Sequence, residues 1–340
     1  MFCLISAAVV SLSQRSQREI DLVAPTPTPV SYPSLADLQV QDAATLAQQD
    51  IALLNLGCAD ALPGAEPIDI AACLRTLDQW AERVRSETYR HGSRFTANPE
   101  HYNNSAAYFR MLMLVTVLQE DFGVHYDSEL IYKVDFTNRD SLFINGMLSG
   151  KGGTCVSMPV LYTAVARRLG YPVFLVNAKG HMFCRWDGAG ERLNIEGAGR
   201  GLNVYDDDHY RQWPHPIRQS EIDRGVFLKS LNMAESFAAF LAARGHYLED
   251  INRKSLACDS YRAAIALAPD QPMYQAFLHH ASRSLKLEHA AELRRHQIAM
   301  REKQRRQMFA DPVTEVRQPG FNPLVSDPFL GVPPSHTFAR

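Results

Sequence analysis

The sequence predicts an α+β protein, with a helix packed on an antiparallel three-stranded meander and helical segments on either side. Three observations predict it. Apolar residues recur at helical spacing from residue 34 to 121 and again beyond 235. Between them, the continuously apolar run Val173-Phe174-Leu175-Val176 reads as a buried strand, and two further strands follow at turn signals. A glycine-rich turn, Gly150-Lys151-Gly152-Gly153, leads into an amphipathic helix just before those strands.

Residues 24–34, APTPTPVSYPS, and the proline-rich stretch from Asp311 bury too little apolar surface to fold alone. This divides the chain into a disordered tail and linker (1–35), a helical segment (36–125), a core (126–215), a second helical segment (216–310) and a disordered tail (311–340). In the first helical segment the periodicity predicts a helix over 34–57, one starting near Asp69, a polar loop over 87–105 and a helix over 106–121. In the core, Phe143–Leu148 leads to the glycine turn, and a helix from Cys155 to Leu169 ends at Gly170 and Pro172. Pro159 lacks an N–H, which is tolerated in a first turn, so the helix starts near Cys155 with Thr154 as its cap. Strands at 173–176, 181–186 and 192–196 complete the core. Beyond 235, two helices end in Tyr261-Arg-Ala-Ala-Ile265-Ala-Leu267-Ala-Pro269, with the small-residue packing and proline stop of a tetratricopeptide-type hairpin. A second hairpin is expected over 273–307.

The composition narrows the function. At 46% hydrophobic and 21% charged, the 340-residue chain is not globally disordered. Its 35 basic residues nearly cancel 37 acidic ones, which gives no electrostatic footprint for nucleic acid. The cluster Arg294, Arg295, Arg301, Lys303, Arg305 and Arg306 reads as a solvated helix face. No apolar run reaches the roughly 18–20 residues of a membrane span, so no membrane partner is expected. Six cysteines without a CxxC pair do not form a disulfide scaffold. The apolar stretch Phe2–Leu12 precedes Arg15 and Arg18, the reverse of a secretory signal, which favours a cytoplasmic over a secreted protein.

Chemistry concentrates in three places: Gly153-Thr154-Cys155 at a helix start, Gly180-His181 at a strand start, and Asn194-Ile195-Glu196 in the next strand. A thiolate attacks far better than a thiol, and a helix N-terminus favours negative charge. A nearby imidazole takes the proton, and a polar side chain fixes that imidazole. Asn194 and Glu196 share one strand face, so either can reach His181 if the strands are neighbours. Cys184 is an odd number of residues from His181 and faces the other way, as a core thiol. A zinc site from Cys155, His181, Cys184 and His279 or His280 fits no familiar ligand spacing, so neither metal nor cofactor is expected. The Cys155 N–H is the natural first donor to an oxyanion, and Asn145 is the candidate second donor.

The stretch GGTCVSMPVLYTAVARRLGYPVFLVNAKGHMFCRW, followed by RLNIEGAGRG, resembles the transglutaminase-like superfamily, and most closely its bacterial SirB-type subgroup. The resemblance implies a transglutaminase- and papain-like core, with a nucleophile helix on an antiparallel sheet, followed by tetratricopeptide-like helices. It also implies that Cys155 is the nucleophile, His181 the base and Asn194 the third member. Transglutaminases proper carry aspartate at that third position, whereas asparagine is what papain-like proteases use. Glu196 supplies the missing charge or pairs with Arg185, and the salt bridge with Arg185 is the expected role. The implied function is a cysteine enzyme acting on amide bonds of a protein or peptide through a thioester, as protease, amidase or acyl transferase. The alternative is an inactive relative that binds a protein partner through its C-terminal helices.

Overall fold

The computed structural model describes residues 32–130 and 134–310. Of the expected tails over 1–35 and 311–340, residues 1–31 and 311–340 lie outside the described residues. Where the periodicity predicts one helix over 34–57, three short ones stand: α1 (Leu35–Gln39), α2 (Ala43–Ala47) and α3 (Ile51–Ala59). Ser34, Asp42 and Asp50 each accept a backbone N–H two or three residues ahead, and so restart the helix each time. α4 (Ile70–Ala97) starts at its Asp69 cap but runs on through much of the expected loop. Glu87 pairs there with Arg83 and Arg90 one turn away on either side, and Phe95 stacks on Phe109. Such pairs hold a polar helix face that apolar periodicity does not reveal.

α5 (Ala106–Thr116) continues into one wide turn at Val117–Asp121. Two short helices, α6 (Arg139–Leu142) and α7 (Ile144–Leu148), precede the glycine turn. α8 (Met158–Arg168) then leads to a four-stranded sheet in the order β1 (Val173–Ala178), β2 (His181–Gly188), β3 (Glu191–Glu196) and β4 (Asn203–Val204). All neighbours are antiparallel. α9 (Asp207–Gln212) and α10 (Gln219–Asp223) follow. α11 (Met233–Asp250) and α12 (Lys254–Leu267) form an antiparallel hairpin. α13 (Pro272–Ala310) is one helix, so the second hairpin expected over 273–307 does not form among the described residues.

The two sheet faces pack into different cores. Leu175, Cys184, Trp186 and Ile195 join α8, α3 and α11 in a main core that runs from Leu38 to Ala281. Val176, Ala178 and Phe183 face the other way and pack with Tyr210, Ile217 and Val226–Leu228. Full burial of each such side chain contributes roughly 1.5–3 kcal/mol. One compact unit ends at Leu285 and another begins at Lys286. No helix among the described residues is long and apolar enough to cross a membrane.

Candidate active site

Cys155 sits in the turn that feeds α8. Thr154 Oγ1 accepts the N–H of Val156 at 3.2 Å, and the Thr154 carbonyl accepts those of Ser157 and Met158 at 3.1 and 2.9 Å. Thr154 therefore caps this turn, as its sequence position predicts. The regular helix begins only at Met158, not at Cys155. Pro159 explains the difference, because it has no N–H to give the Cys155 carbonyl. The turn is clamped from below. The hydroxyls of Thr154 and Ser157 both donate to the Ser141 carbonyl at 2.8 Å. Cys155 thus belongs to the turn that leads into the N-terminus of α8, the end at which the helix dipole favours negative charge.

Gly152 and Gly153, just before Cys155, serve close approach rather than turn geometry. Among Gly150, Gly152 and Gly153, only Gly150 has a positive φ. A Cβ on Gly153 would lie 2.5 Å from Met147 Sδ, and one on Gly152 2.8 Å from Asp127 Cβ. Gly153 can therefore pair with Tyr126 in an isolated parallel bridge, its N–H donating to the His125 carbonyl at 2.9 Å. That bridge delivers Tyr126 to Cys155. The N–H of Cys155 donates to Tyr126 Oη at 3.2 Å, so the expected oxyanion donor already has an acceptor in place. Burial, and next the Cys155 charge, push the Tyr126 phenol well above its ordinary range. Sequence reading missed Tyr126, and the glycine pair was the available signal for it.

His181 opens β2 and is buried. Its Nε2 lies 2.8 Å from Glu196 Oε2. Tyr210 donates its hydroxyl to the same Oε2 at 3.0 Å, and the Ala198 N–H donates to Oε1 at 2.9 Å. The Cys155 side chain neighbours the same imidazole and is among the groups that raise it. Burial disfavours a charged ring, but the hydrogen bonds and charges of Cys155 and Glu196 outweigh it and raise His181 to about 9. Glu196 is disfavoured by burial yet held below its ordinary value by the His181 hydrogen bond and charge and by its other donors. The close approach of β3 to the turn requires Gly197, where a Cβ would lie 2.8 Å from Met158 Cβ.

Asn194 and Arg185 occupy a different position from the expected one. Asn194 lies opposite Arg185 in the ladder and accepts from Arg185 Nε at 2.6 Å. Its Nδ2 donates to Asp207 Oδ1 at 2.8 Å. Arg185 also donates to that Oδ1 at 2.5 Å and to the Leu228 carbonyl at 2.9 Å. Neither the expected Glu196–Arg185 salt bridge nor an Asn194–His181 contact forms. The register decides this: continuing the pairing past Cys184↔Ile195 carries Glu196 two residues closer to His181 than Asn194.

Asn145 lies on α7 and donates its Nδ2 to Asp140 Oδ1 at 2.6 Å, so this amide is spent away from Cys155, while its own buried Oδ1 has no hydrogen-bond partner. Cys184 is fully buried with its sulfur 3.7 Å from the Ile195 carbonyl. Among the described residues, no group of three or more His, Cys, Asp and Glu side chains is placed to hold a metal ion. A cavity of about 370 Å³ lies beside Tyr126, lined also by Gln119, Val124, His125, Ser128 and Arg200. Trp213 meets His181 edge-on with ring centroids 4.6 Å apart and is 44% exposed.

Residues 71–229 match the family described as the transglutaminase-like superfamily, so this stretch, from α4 to just beyond α10, is a transglutaminase-like domain. The comparisons with curated proteins and with solved structures gave no match.

Proposed function

We propose that Cys155, His181 and Glu196 are the nucleophile, base and orienting group of a cysteine enzyme acting on amide bonds of a protein or peptide. The observation that carries this reading is the buried 2.8 Å contact between His181 Nε2 and Glu196 Oε2, with Cys155 a neighbour that raises the same ring. A carboxylate both fixes the ring and stabilises the imidazolium, which a carboxamide cannot do by charge. In this reading Asn194 is not the third member.

The chemistry follows from these groups. Cys155 Sγ passes its proton to His181 and attacks the amide carbonyl. The C–N bond breaks as His181 returns that proton to the departing nitrogen, leaving a thioester on Cys155. Water or an amine then attacks the thioester, His181 takes its proton, and the C–S bond breaks to release acid or new amide. Tyr126 Oη stands where the Cys155 N–H points, the position a substrate carbonyl oxygen would take. The neighbouring cavity gives a substrate chain a route to it.

We assign the domain to the SirB-type subgroup within this reading. Support comes from Cys155 ahead of Pro159-Val160-Leu161-Tyr162, from Gly180-His181 in a strand reaching Arg185, and from Asn194-Ile195-Glu196. The α11–α12 hairpin is read as tetratricopeptide-like because Gly245 packs directly under the Tyr261 ring. It is the candidate surface for a protein partner. A reducing cytoplasm suits the chemistry, since the described cysteines are free thiols.

The test uses p-nitrophenyl acetate as a generic acyl donor on the full chain. The expected result is a burst of nitrophenolate and an acetyl group mapped to Cys155 by mass spectrometry. A folded chain with no acetyl on Cys155 contradicts the enzyme and leaves the partner-binding alternative.

A further inference from the structure

The sheet face that carries His181 also holds a buried phenol with no part in the acyl transfer. Tyr210 is fully buried, and its ring stacks on Phe183 with centroids 3.8 Å apart. Its hydroxyl donates to Glu196 Oε2 at 3.0 Å, the same oxygen that meets His181 Nε2. Tyr210 belongs to α9, a helix of six residues. So short a helix is not stable alone and must be pinned from outside. The pin is Asp207 at its start, which accepts from both Arg185 and Asn194.

We propose that Tyr210 is a positioning residue that sets how tightly Glu196 holds the His181 proton, and that the Arg185–Asn194–Asp207 cluster serves it by fixing α9. This rests on the reading of Cys155, His181 and Glu196 given above. Two donors on one carboxylate oxygen share its negative charge, so each weakens the hold of the other. The Tyr210 hydroxyl therefore tempers Glu196 and keeps the imidazolium acidic enough to release its proton to a departing nitrogen. Removing it leaves a more basic carboxylate in a site with little water, and the imidazolium becomes harder to deprotonate.

Other titratable groups face this pair. They are Cys155 from the turn before α8 and Tyr126 from the segment bridged to Gly153, with Tyr162 from α8 and Cys184 from β2 acting from the main core on the opposite face of the sheet. Tyr205 and His209 lie against the Tyr210 ring. Burial pushes Tyr126, Tyr162, Cys184 and Tyr210 far above neutrality, so these groups stay uncharged where His181 titrates.

Tyr210→Phe in the full chain tests the proposal, because it keeps the stacked ring and removes only the hydroxyl. The readouts are the His181 titration midpoint by NMR of labelled histidine and the pH profile of p-nitrophenyl acetate turnover. The expected result is an upward shift of both the midpoint and the upper limb by about half a pH unit to one unit. Asp207→Asn, at a side chain 40% exposed, loosens α9 and is expected to shift both in the same direction by less; it carries the test should Tyr210→Phe fail to fold. A folded variant with an unmoved midpoint and normal Cys155 acylation overturns this inference alone. A wild-type chain whose Cys155 is never acylated overturns the reading beneath it, and this inference with it.

Discussion

His181 and Glu196 meet at one end of the sheet, and Arg185 and Asn194 meet further along the same two strands and on the same face. Both clusters are buried and both are bonded to α9, through Tyr210 in one case and Asp207 in the other. They differ in what can move. The guanidinium keeps its charge at any accessible pH, and three acceptors satisfy it, so this cluster can hold structure but cannot pass a proton. The imidazole, raised to about 9, can change its charge, its carboxylate partner keeps the charged form available, and Cys155 neighbours the same ring. Burial alone therefore does not mark a reactive group. The mark is a buried group that can change its charge, with a partner fitted to each charge state.

Substitutions at the two clusters can break this contrast. The largest effect is expected from Cys155→Ala, which removes the sulfur and should abolish thioester formation while leaving the melting temperature nearly unchanged; a collapse in stability would mark Cys155 as packing. Glu196→Gln should lower acylation or turnover by about a hundredfold or more, since the imidazolium loses its countercharge. Tyr126→Phe should free the Cys155 N–H for the carbonyl oxygen and raise turnover by up to about tenfold, with little change in thiol alkylation. Asn194→Ala should change turnover by less than about tenfold yet cost about 1–3 kcal/mol of stability in denaturant unfolding, because Arg185 loses an acceptor. If Asn194→Ala silenced the chain and Glu196→Gln only destabilised it, the two clusters would have to exchange roles.

A smaller effect appears in stability against pH. His181 is raised from 6.5 to about 9, so its contribution is complete below about 6.5 and is lost as pH rises through about 9. Glu196 is lowered from 4.5, so its contribution is present above about 4.5 and is lost as pH falls below it. The melting-temperature difference between wild type and His181→Gln should be greatest between these limits and shrink on both sides.

The parts of the site that rest on local signals could be read from the residues. Cys155 and His181 follow from a glycine turn before a helix and a glycine turn before a strand. The choice between Asn194 and Glu196 could not be read, because it depends on register across the Asp187–Gly190 turn, and both residues share a strand face. Tyr210 could not be read either, and Tyr126 had only the indirect signal of the glycine pair. Each arrives through a contact distant in sequence, one by the bridge to Gly153 and the other by Asp207 on Arg185. In the fold, the meander and helix α8 were legible because their apolar patterns match strand and helix periods. The breaks between α1, α2 and α3 were signalled by Asp42 and Asp50, which outweigh the periodicity running through them.

The most direct measurement is the alkylation rate of each cysteine by iodoacetamide at about pH 6, resolved by mass spectrometry, in wild type and in His181→Ala. Cys155 should react far faster than every other cysteine in wild type and fall to their level once the imidazole is gone. Equal rates at all cysteines, or a Cys155 rate that ignores the loss of His181, would contradict the assignment of a reactive thiol at this site.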